Sequence, residues 1–420
     1  MTTPTINRAA LRRRLTPPAP GTDPTTLSRR RVRAAELALI IGGVAIGTAE
    51  FVSMGLLPQI AAGVGVDIPT AGHVISAYAI GVVVGAPLFA IFGARHPRHR
   101  MLQLLMGIFI VGNLAAAIAS GYGLLVGSRL LAGLPHGAFF GLAALVAVDL
   151  APPGRAGRAV GRVMLGIPLA NIVGVPVATW LGQALGWRSA YLLVALVGLI
   201  SLAMVACFVP RSHSDRSRTV RRELGDFANW QVALTLLTGA AGFGGMFAMY
   251  SYIAPTVTEL TRLPESLVPV FLLVFGVGMF VGTSLGGRLT DWSIGRTIVI
   301  GLAAAGVLLV AFTQLAAYPI PALLTVFGIS VSTSLFVVGL QLRLMNAAGD
   351  ARTLGAASNH AALNLANALG AWLGGVVISA GWGWTGPSWV GAGLSVLGLA
   401  VFLVALLVQR RGLRTGHSAR

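Results

Sequence analysis

One carboxylate in this sequence stands apart. Glu50 lies within GGVAIGTAEFVSMGLLP, residues 42–58, far from either end of an apolar run. The other eleven of the twelve acidic residues fall in tails, loops or helix ends. An ionisable group surrounded by hydrocarbon costs a few kcal/mol unless it faces protein or water, so Glu50 is read as a functional group that takes up and releases a proton. A carboxyl kept protonated and hydrogen-bonded for packing is the competing reading.

Four further groups inside apolar runs could act with it. Arg129 is the one basic residue well inside an apolar run, at a depth comparable to that of Glu50. A buried guanidinium needs a partner or water, and Glu50 is the candidate partner, directly or through water; outward snorkelling is the alternative. His136 follows Arg129 by seven positions, on the same helix face, with Pro135 placed to kink the helix between them. It is a candidate proton relay or substrate contact, or else a hydrogen-bonded structural histidine. His360, Asn364 and Asn367 recur at i, i+4 and i+7, a polar stripe expected to face a cavity or to hydrogen-bond between helices. Phe243, Phe247 and Tyr250 make an aromatic stripe beside Met246 and Met249, suited to poorly hydrated ligands or to helix packing.

The elements that must position these groups are apolar helices. The chain has 420 residues, 55% of them hydrophobic and 10% charged, with a mean hydropathy of +0.82. That is too apolar for a soluble domain. Twelve runs are long enough to span a bilayer: 36–60, 70–94, 101–120, 123–149, 159–182, 188–209, 230–256, 266–288, 297–317, 320–345, 353–379 and 386–408. The net charge of +18 could suggest nucleic acid, but the placement of the basic residues excludes that class. All 30 are arginine; with the N-terminus in the cytoplasm, 27 fall on the inside and two, Arg188 and Arg262, outside. This asymmetry predicts both termini in the cytoplasm. Residues 1–34 are expected to be an Arg-rich disordered cytosolic tail, 210–229 a cytosolic linker, and 410–420 a second tail.

The sequence repeats itself. Gly47 and Pro58 recur 197 residues later as Gly244 and Pro255, Gly81 and Gly85 as Gly278 and Gly282 at the same offset, and Ala170, Asn171 and Gly174 as Ala366, Asn367 and Gly370 at an offset of 196. Two six-helix halves, 35–209 and 230–409, follow from this repeat. Parallel halves with a site between them describe a secondary transporter in which access alternates as one half rocks against the other. Without lysine the chain cannot form a G-x-x-x-x-G-K-[ST] nucleotide loop, so an ion gradient is the expected energy source. The single cysteine, Cys207, and the dispersed histidines offer no metal or cofactor site and no catalytic cluster, so an enzyme is not expected.

Four stretches, GTAEFVSMGLLP (47–58), SAYAIGVVVGAP (76–87), RLLAGLPHG (129–137) and GIPLANIVGVP (166–176), resemble the major facilitator superfamily. The likeness runs over roughly 36–408 and is to the twelve-helix drug:proton antiporter branch, among chloramphenicol-resistance and arabinose-efflux-like exporters. It implies an all-α integral membrane fold of twelve helices in two pseudo-symmetric halves, with helices 1, 4, 7 and 10 lining a cavity. It also implies a part in proton transfer for Arg129, which with Glu50 and His136 makes up the proton-coupling candidates, and a glycine-proline stretch with Gly174 and Pro176 that seals against leak and favours export. The superfamily's loop between helices 2 and 3 usually reads G-x-x-x-D-R-x-G-R-R; here GARHPRHR (93–100) keeps Gly93 and the basic residues, Arg95 among them, without the aspartate. The matching loop GRLTDWSIGR (287–296) has Asp291 and Arg296, so Asp291 is the candidate for that gating contact; plain positive-inside loops explain the arginines as well.

Met54, Phe247, Tyr250, Gln341, His360, Asn364 and Asn367 are the candidate substrate-binding residues. The expected function is proton-coupled export of small amphipathic compounds, chloramphenicol-like drugs by resemblance, in a bacterial inner membrane by a monomer. Export of sugars or other metabolites is the alternative, favoured if the hydrogen-bonding groups dominate the cavity. Single cysteines introduced at either end, after removal of Cys207, should label only from the cytoplasmic side; labelling of either terminus from outside defeats the assigned topology.

Overall fold

The computed structural model describes residues 28–93, 96–152, 156–211, 230–347 and 352–416. The tail and linker assigned from sequence therefore lie mostly outside the described residues, as does Arg95. Twelve helices are long and apolar enough to cross a bilayer: α1 (Arg29–Gly55), α2 (Ile68–Ala86), α3 (Arg98–Ala117), α4 (Tyr122–Leu150), α5 (Ala159–Leu185), α6 (Arg188–Phe208), α7 (Trp230–Tyr250), α8 (Glu265–Trp292), α9 (Ile294–Leu315), α10 (Pro319–Ala347), α11 (Ser358–Trp382) and α12 (Gly386–Gln409). An even number of spans puts the start of α1 and the end of α12 on one face of the bundle, called here the terminal face. The helices expose apolar side chains outward, and exposed Trp180, Trp230, Trp292 and Trp382 sit in the terminal turns of their spans, where an amphipathic ring meets the membrane surface.

Capping and proline decide where the helices begin and bend. Helix α1 starts at Arg29, earlier than its apolar run, because the Ser28 side chain accepts the Arg31 N–H. It breaks at Leu56 (φ −118°, ψ 14°), just before Pro58, and resumes as Leu57–Val64. The second half repeats the device: Tyr252 (φ −113°, ψ 23°) breaks the chain before Pro255. Helix α4 is interrupted at Leu134 and Pro135, as the proline predicts. Helix α5 contains a π turn over Ala170–Gly174, where the Val175 N–H reaches back five residues to the Ala170 carbonyl just ahead of Pro176.

The internal repeat proves to be a set of helix crossings. A Cβ on Gly81 would meet the Leu130 carbonyl oxygen at 2.2 Å and one on Gly85 the Leu134 oxygen at 1.9 Å, where α2 crosses α4. In the second half, Gly278 faces the Phe327 oxygen at 2.9 Å and Gly282 the Val331 oxygen at 2.3 Å, where α8 crosses α10. Likewise Gly47 meets Ala170 between α1 and α5, and Gly244 meets Ala366 between α7 and α11. Backbone this close to backbone admits no side chain.

Two buried cores fill the first half, while a third fills the other half and takes in Phe51, Met54, Leu57 and Ile75 from the first. The halves are therefore joined at the face opposite the terminal one. There Gln59 donates to the Glu265 carboxylate, Gln183 Nε2 donates to the Glu265 carbonyl at 2.9 Å, and Ser76 Oγ donates to the Ala368 carbonyl at 3.1 Å. Two ion pairs near the terminal face, Arg98 with Asp149 and Arg162 with Glu36, lie within the first half.

Gly282→Ala should destabilise the purified protein by about 1–3 kcal/mol through overpacking at the α8–α10 crossing. Gly287→Ala, whose Cβ would meet nothing within 4 Å, should not. Thermal melts of the two variants in detergent check this, and equal melting points would refute the assigned crossing.

Candidate functional site

The site is built where α1 passes between α4 and α11. Ile46, Ala49, Glu50 and Ser53 share one face of α1, spaced three or four residues apart. Each offers an oxygen to a neighbour. The Ile46 carbonyl accepts from the Tyr78 hydroxyl at 3.4 Å, the Ala49 carbonyl accepts from Arg129 Nη2 at 2.7 Å, and Ser53 Oγ shares a hydrogen bond of 2.8 Å with Tyr191. Glu50 accepts from Asn367 Nδ2 at 3.5 Å, a contact between the two halves. All of these side chains are buried, Glu50 at 5% exposure and Arg129 at 0%.

Arg129 does not form the ion pair expected with Glu50; the guanidinium turns to the adjacent Ala49 carbonyl instead. It lies over the ring of Tyr78, 4.4 Å from the centroid, with the ring of Tyr191 at 5.4 Å. Two aromatic faces and a carbonyl replace water around the cation, and such contacts are worth about 2 kcal/mol or more each when desolvated. Arg129 Nε and Nη1 are buried without a hydrogen-bond partner. Glu50 remains within electrostatic reach of the guanidinium. The pair is thus a through-space charge contact, with the cation held by neutral groups.

His136 lies on the same face of α4 as Arg129, as the spacing predicts, and its Nδ1 is 3.2 Å from the Tyr78 hydroxyl. Its ring is 6.2 Å from that of His360 on α11, and His360 stacks on Phe140 at 5.6 Å with an interplanar angle of 3°. The polar stripe of α11 divides its work: Asn367 reaches Glu50, Asn364 donates to the His360 carbonyl of its own helix at 3.0 Å, and His360 meets α4. Near Glu50, towards the closed face, Phe51 packs on Phe247 (6.1 Å), Tyr250 (6.0 Å) and Phe275 (6.5 Å), and Tyr250 stacks on Phe275 at 3.8 Å. Met54 belongs to the same core, and the Tyr250 hydroxyl is buried without a partner.

Other expected site residues stand elsewhere. Gln341 is half-buried near the terminal face, two residues before an Arg343 that reaches Gln231 and Gln409 at the ends of α7 and α12, so it does not join the groups around Glu50. Asp291 is exposed at the end of α8 and forms no ion pair with the described residues, while Arg296 stacks on Trp292 at 4.6 Å. Gly93 ends the helix that contains α2. Gly174 lets α5 approach α1, since a Cβ there would meet Thr48 Oγ at 2.1 Å, and Pro176 follows the π turn.

Sequence reasoning missed Tyr78, Tyr191, Phe51 and Asn171. Tyr78 and Tyr191 are two of only six tyrosines and lie inside apolar runs, where a hydroxyl needs a partner; that was the available signal.

Residues 39–356 match the Major Facilitator Superfamily. The inner membrane transport protein YdhP of Escherichia coli K12 is 42% identical over 375 residues, covering 89% of this chain and 96% of YdhP. A chloramphenicol resistance protein of Streptomyces lividans is 33% identical over 373 residues, 86% of this chain and 94% of that one. The crystal structure of a bacterial homolog of the human lysosomal transporter Spinster, inward-facing and unoccupied, superposes with a TM-score of 0.67 at 14% identity over 90% of this chain and 96% of the other. Twelve spans in two crossing-matched halves with ionisable groups buried between them define a membrane transporter of small molecules. The chain belongs to the major facilitator superfamily.

Arg129→Lys keeps the charge but cannot lie flat on Tyr78 while donating to Ala49. It should lower both the melting temperature and the transport rate, the latter by about tenfold for a loss near 1.4 kcal/mol. Wild-type values for both would show that the planar fork is dispensable.

Proposed function

We propose that this chain is a proton-coupled exporter of small amphipathic compounds, working by alternating access with the terminal face in the cytoplasm of a bacterial inner membrane. The observation that carries the reading is Glu50: a buried carboxyl at the contact between halves, bonded to Asn367 of one half and beside Arg129 of the other. When the halves rock apart, Glu50 loses the Asn367 amide and gains water. A carboxyl whose solvation and neighbours change in this way changes its proton affinity between the two states. Glu50 and Arg129 form the coupling pair, and the arginine-rich terminal face supports the orientation.

The substrate surface in this reading is the aromatic group of Phe51, Phe247, Tyr250 and Phe275 with Met54, which suits a flat, poorly hydrated ring. Similarity to a chloramphenicol resistance protein favours drugs of that kind. A second reading, a sugar or other hydroxylated metabolite, is supported by buried amide oxygens of Asn171, Asn364 and Asn367 that have no partner. Asn364→Ala with Asn367→Ala should reorder the compounds exported, and a susceptibility panel in an efflux-deficient host separates the two classes.

Glu50→Gln keeps size and hydrogen-bonding capacity but cannot titrate. In proteoliposomes with an imposed pH gradient it should abolish uphill accumulation while the protein remains folded. Normal gradient-driven accumulation by this variant would mean that the proton travels elsewhere.

A further inference from the structure

The coupling reading leaves unexplained how a proton on Glu50 reaches the terminal face while the opposite face is closed. It also leaves three titratable groups beside the site without a part in moving the proton. Tyr78 and His136 are each 1% exposed, and His136 Nε2 is buried with no partner. His360, from the other half, is half-buried. These groups run in order from the site towards the terminal face, because Ile46 and His136 both lie on the terminal side of Glu50 and Arg129 in their helices, and His360 stands near the terminal end of α11.

Contacts link the groups from Tyr78 onwards. Tyr78 lies under the Arg129 guanidinium, and its hydroxyl meets the Ile46 carbonyl one helical turn from Glu50 on α1. Its hydroxyl is 3.2 Å from His136 Nδ1, and His136 and His360 have ring centroids 6.2 Å apart, a gap closed by a small ring rotation or one water. Exposure rises along the path, from the sealed Tyr78 and His136 to the half-buried His360. The charged or titratable groups beside it are Glu50 from α1, Tyr78 from α2, Arg129 from α4 and His360 from α11. Packing alone accounts for the Phe140–His360 stack, but not for a buried Nε2 without a partner opposite a second imidazole.

We propose that Tyr78, His136 and His360 form the proton exit from Glu50 to the terminal face, a lane completed only when the two halves meet at the His136–His360 contact. This inference rests on the coupling reading of Glu50 and adds the route and its dependence on conformation. Glu50 gives its proton, directly or through one water, to the Tyr78 hydroxyl oxygen as Tyr78 passes its own hydroxyl proton to His136 Nδ1, so no phenolate forms. His136 releases its Nε2 proton to His360, which delivers it to the solvent of the terminal face. His136 is left with its proton on Nδ1, and the lane resets when Nδ1 gives that proton to water while Nε2 takes one from water. One proton leaves Glu50, one appears in solution, and each relay group recovers its starting proton count. Two of the relay groups belong to one half and the third to the other, so the lane is completed across the boundary between the halves and depends on how they are set against each other.

Tyr78→Phe removes one oxygen and keeps the ring under Arg129. His360→Phe removes both nitrogens and keeps the stack on Phe140. Both are measured in proteoliposomes against wild type and Glu50→Gln, as gradient-driven uptake of a transported drug while the pH on the terminal side is varied across about 5 to 8, the range in which imidazole changes charge. Each variant should slow proton-driven transport by about tenfold or more and flatten the dependence on terminal-side pH. Wild-type rates in either variant overturn the lane, and so does a uniform loss that leaves the pH profile unchanged, which marks a structural role. The two substitutions are independent, so either one that folds decides the matter. If Glu50→Gln alone is inactive and both variants are normal, the lane fails and the coupling acid stands. If Glu50→Gln is itself fully active, the coupling reading fails first.

Discussion

The constraint on which the site depends is a guanidinium buried without a carboxylate bonded to it. Arg129 cannot shed its charge, and removing an ion from water is among the most expensive acts in folding. The structure meets this demand with neutral groups: the Ala49 carbonyl on one side and the faces of Tyr78 and Tyr191 on the other. That choice leaves Glu50 uncommitted. A bidentate pair with Arg129 would fix the carboxyl in its charged form and hold it there through the cycle. Because the groups that hold the cation all belong to its own half, Glu50 is free to exchange partners in the proposed cycle.

The same logic governs the scaffold. The glycines that recur between halves sit where backbone passes backbone, α2 over α4 and α8 over α10, and these contacts lie inside each half. Each half is thereby stiff, with its polar groups fixed by short-range contacts. Between the halves Gly276 also packs on the Asn171 backbone. At the closed face the halves are joined by ring stacks about Phe51 and by single hydrogen bonds from Gln183 and Ser76. Rigid units joined by separable contacts are what alternating access requires.

The architecture was legible in the sequence because bilayer thickness translates directly into run length, and because the glycine repeat records the crossings. Twelve spans, the kink at Pro135 and the depth of Glu50 follow from composition and spacing. The partner of Arg129 did not. Spacing places Arg129 and Glu50 at similar depth, but depth does not fix the direction in which a long side chain turns, and the aromatic faces that hold it come from α2 and α6, far apart in sequence. The polar stripe of α11 is visible as a stripe, yet Asn367 reaches α1, His360 meets α4 and Asn364 turns back to its own backbone, since a helix face wide enough for i, i+4 and i+7 touches more than one helix. Gln341 was chosen for its chemistry, and its depth near the terminal face sets it apart from the site.

The weakness of the bond between Glu50 and Asn367 now acquires a meaning. At 3.5 Å it is long for a hydrogen bond to a carboxyl oxygen, for which charge-assisted contacts are near 2.8 Å. A strong bond at this point would tie α1 to α11 and oppose the motion that exposes the site. A long one costs little to break, so in the proposed cycle a change in the protonation of Glu50, or a substrate between Phe51 and Phe247, shifts the balance between closed and open arrangements. A ligand shifts an equilibrium only by its differential affinity for the two states. Glu50 meets that condition because its neighbours in the closed state come from both halves, and rocking the halves apart must remove one of them.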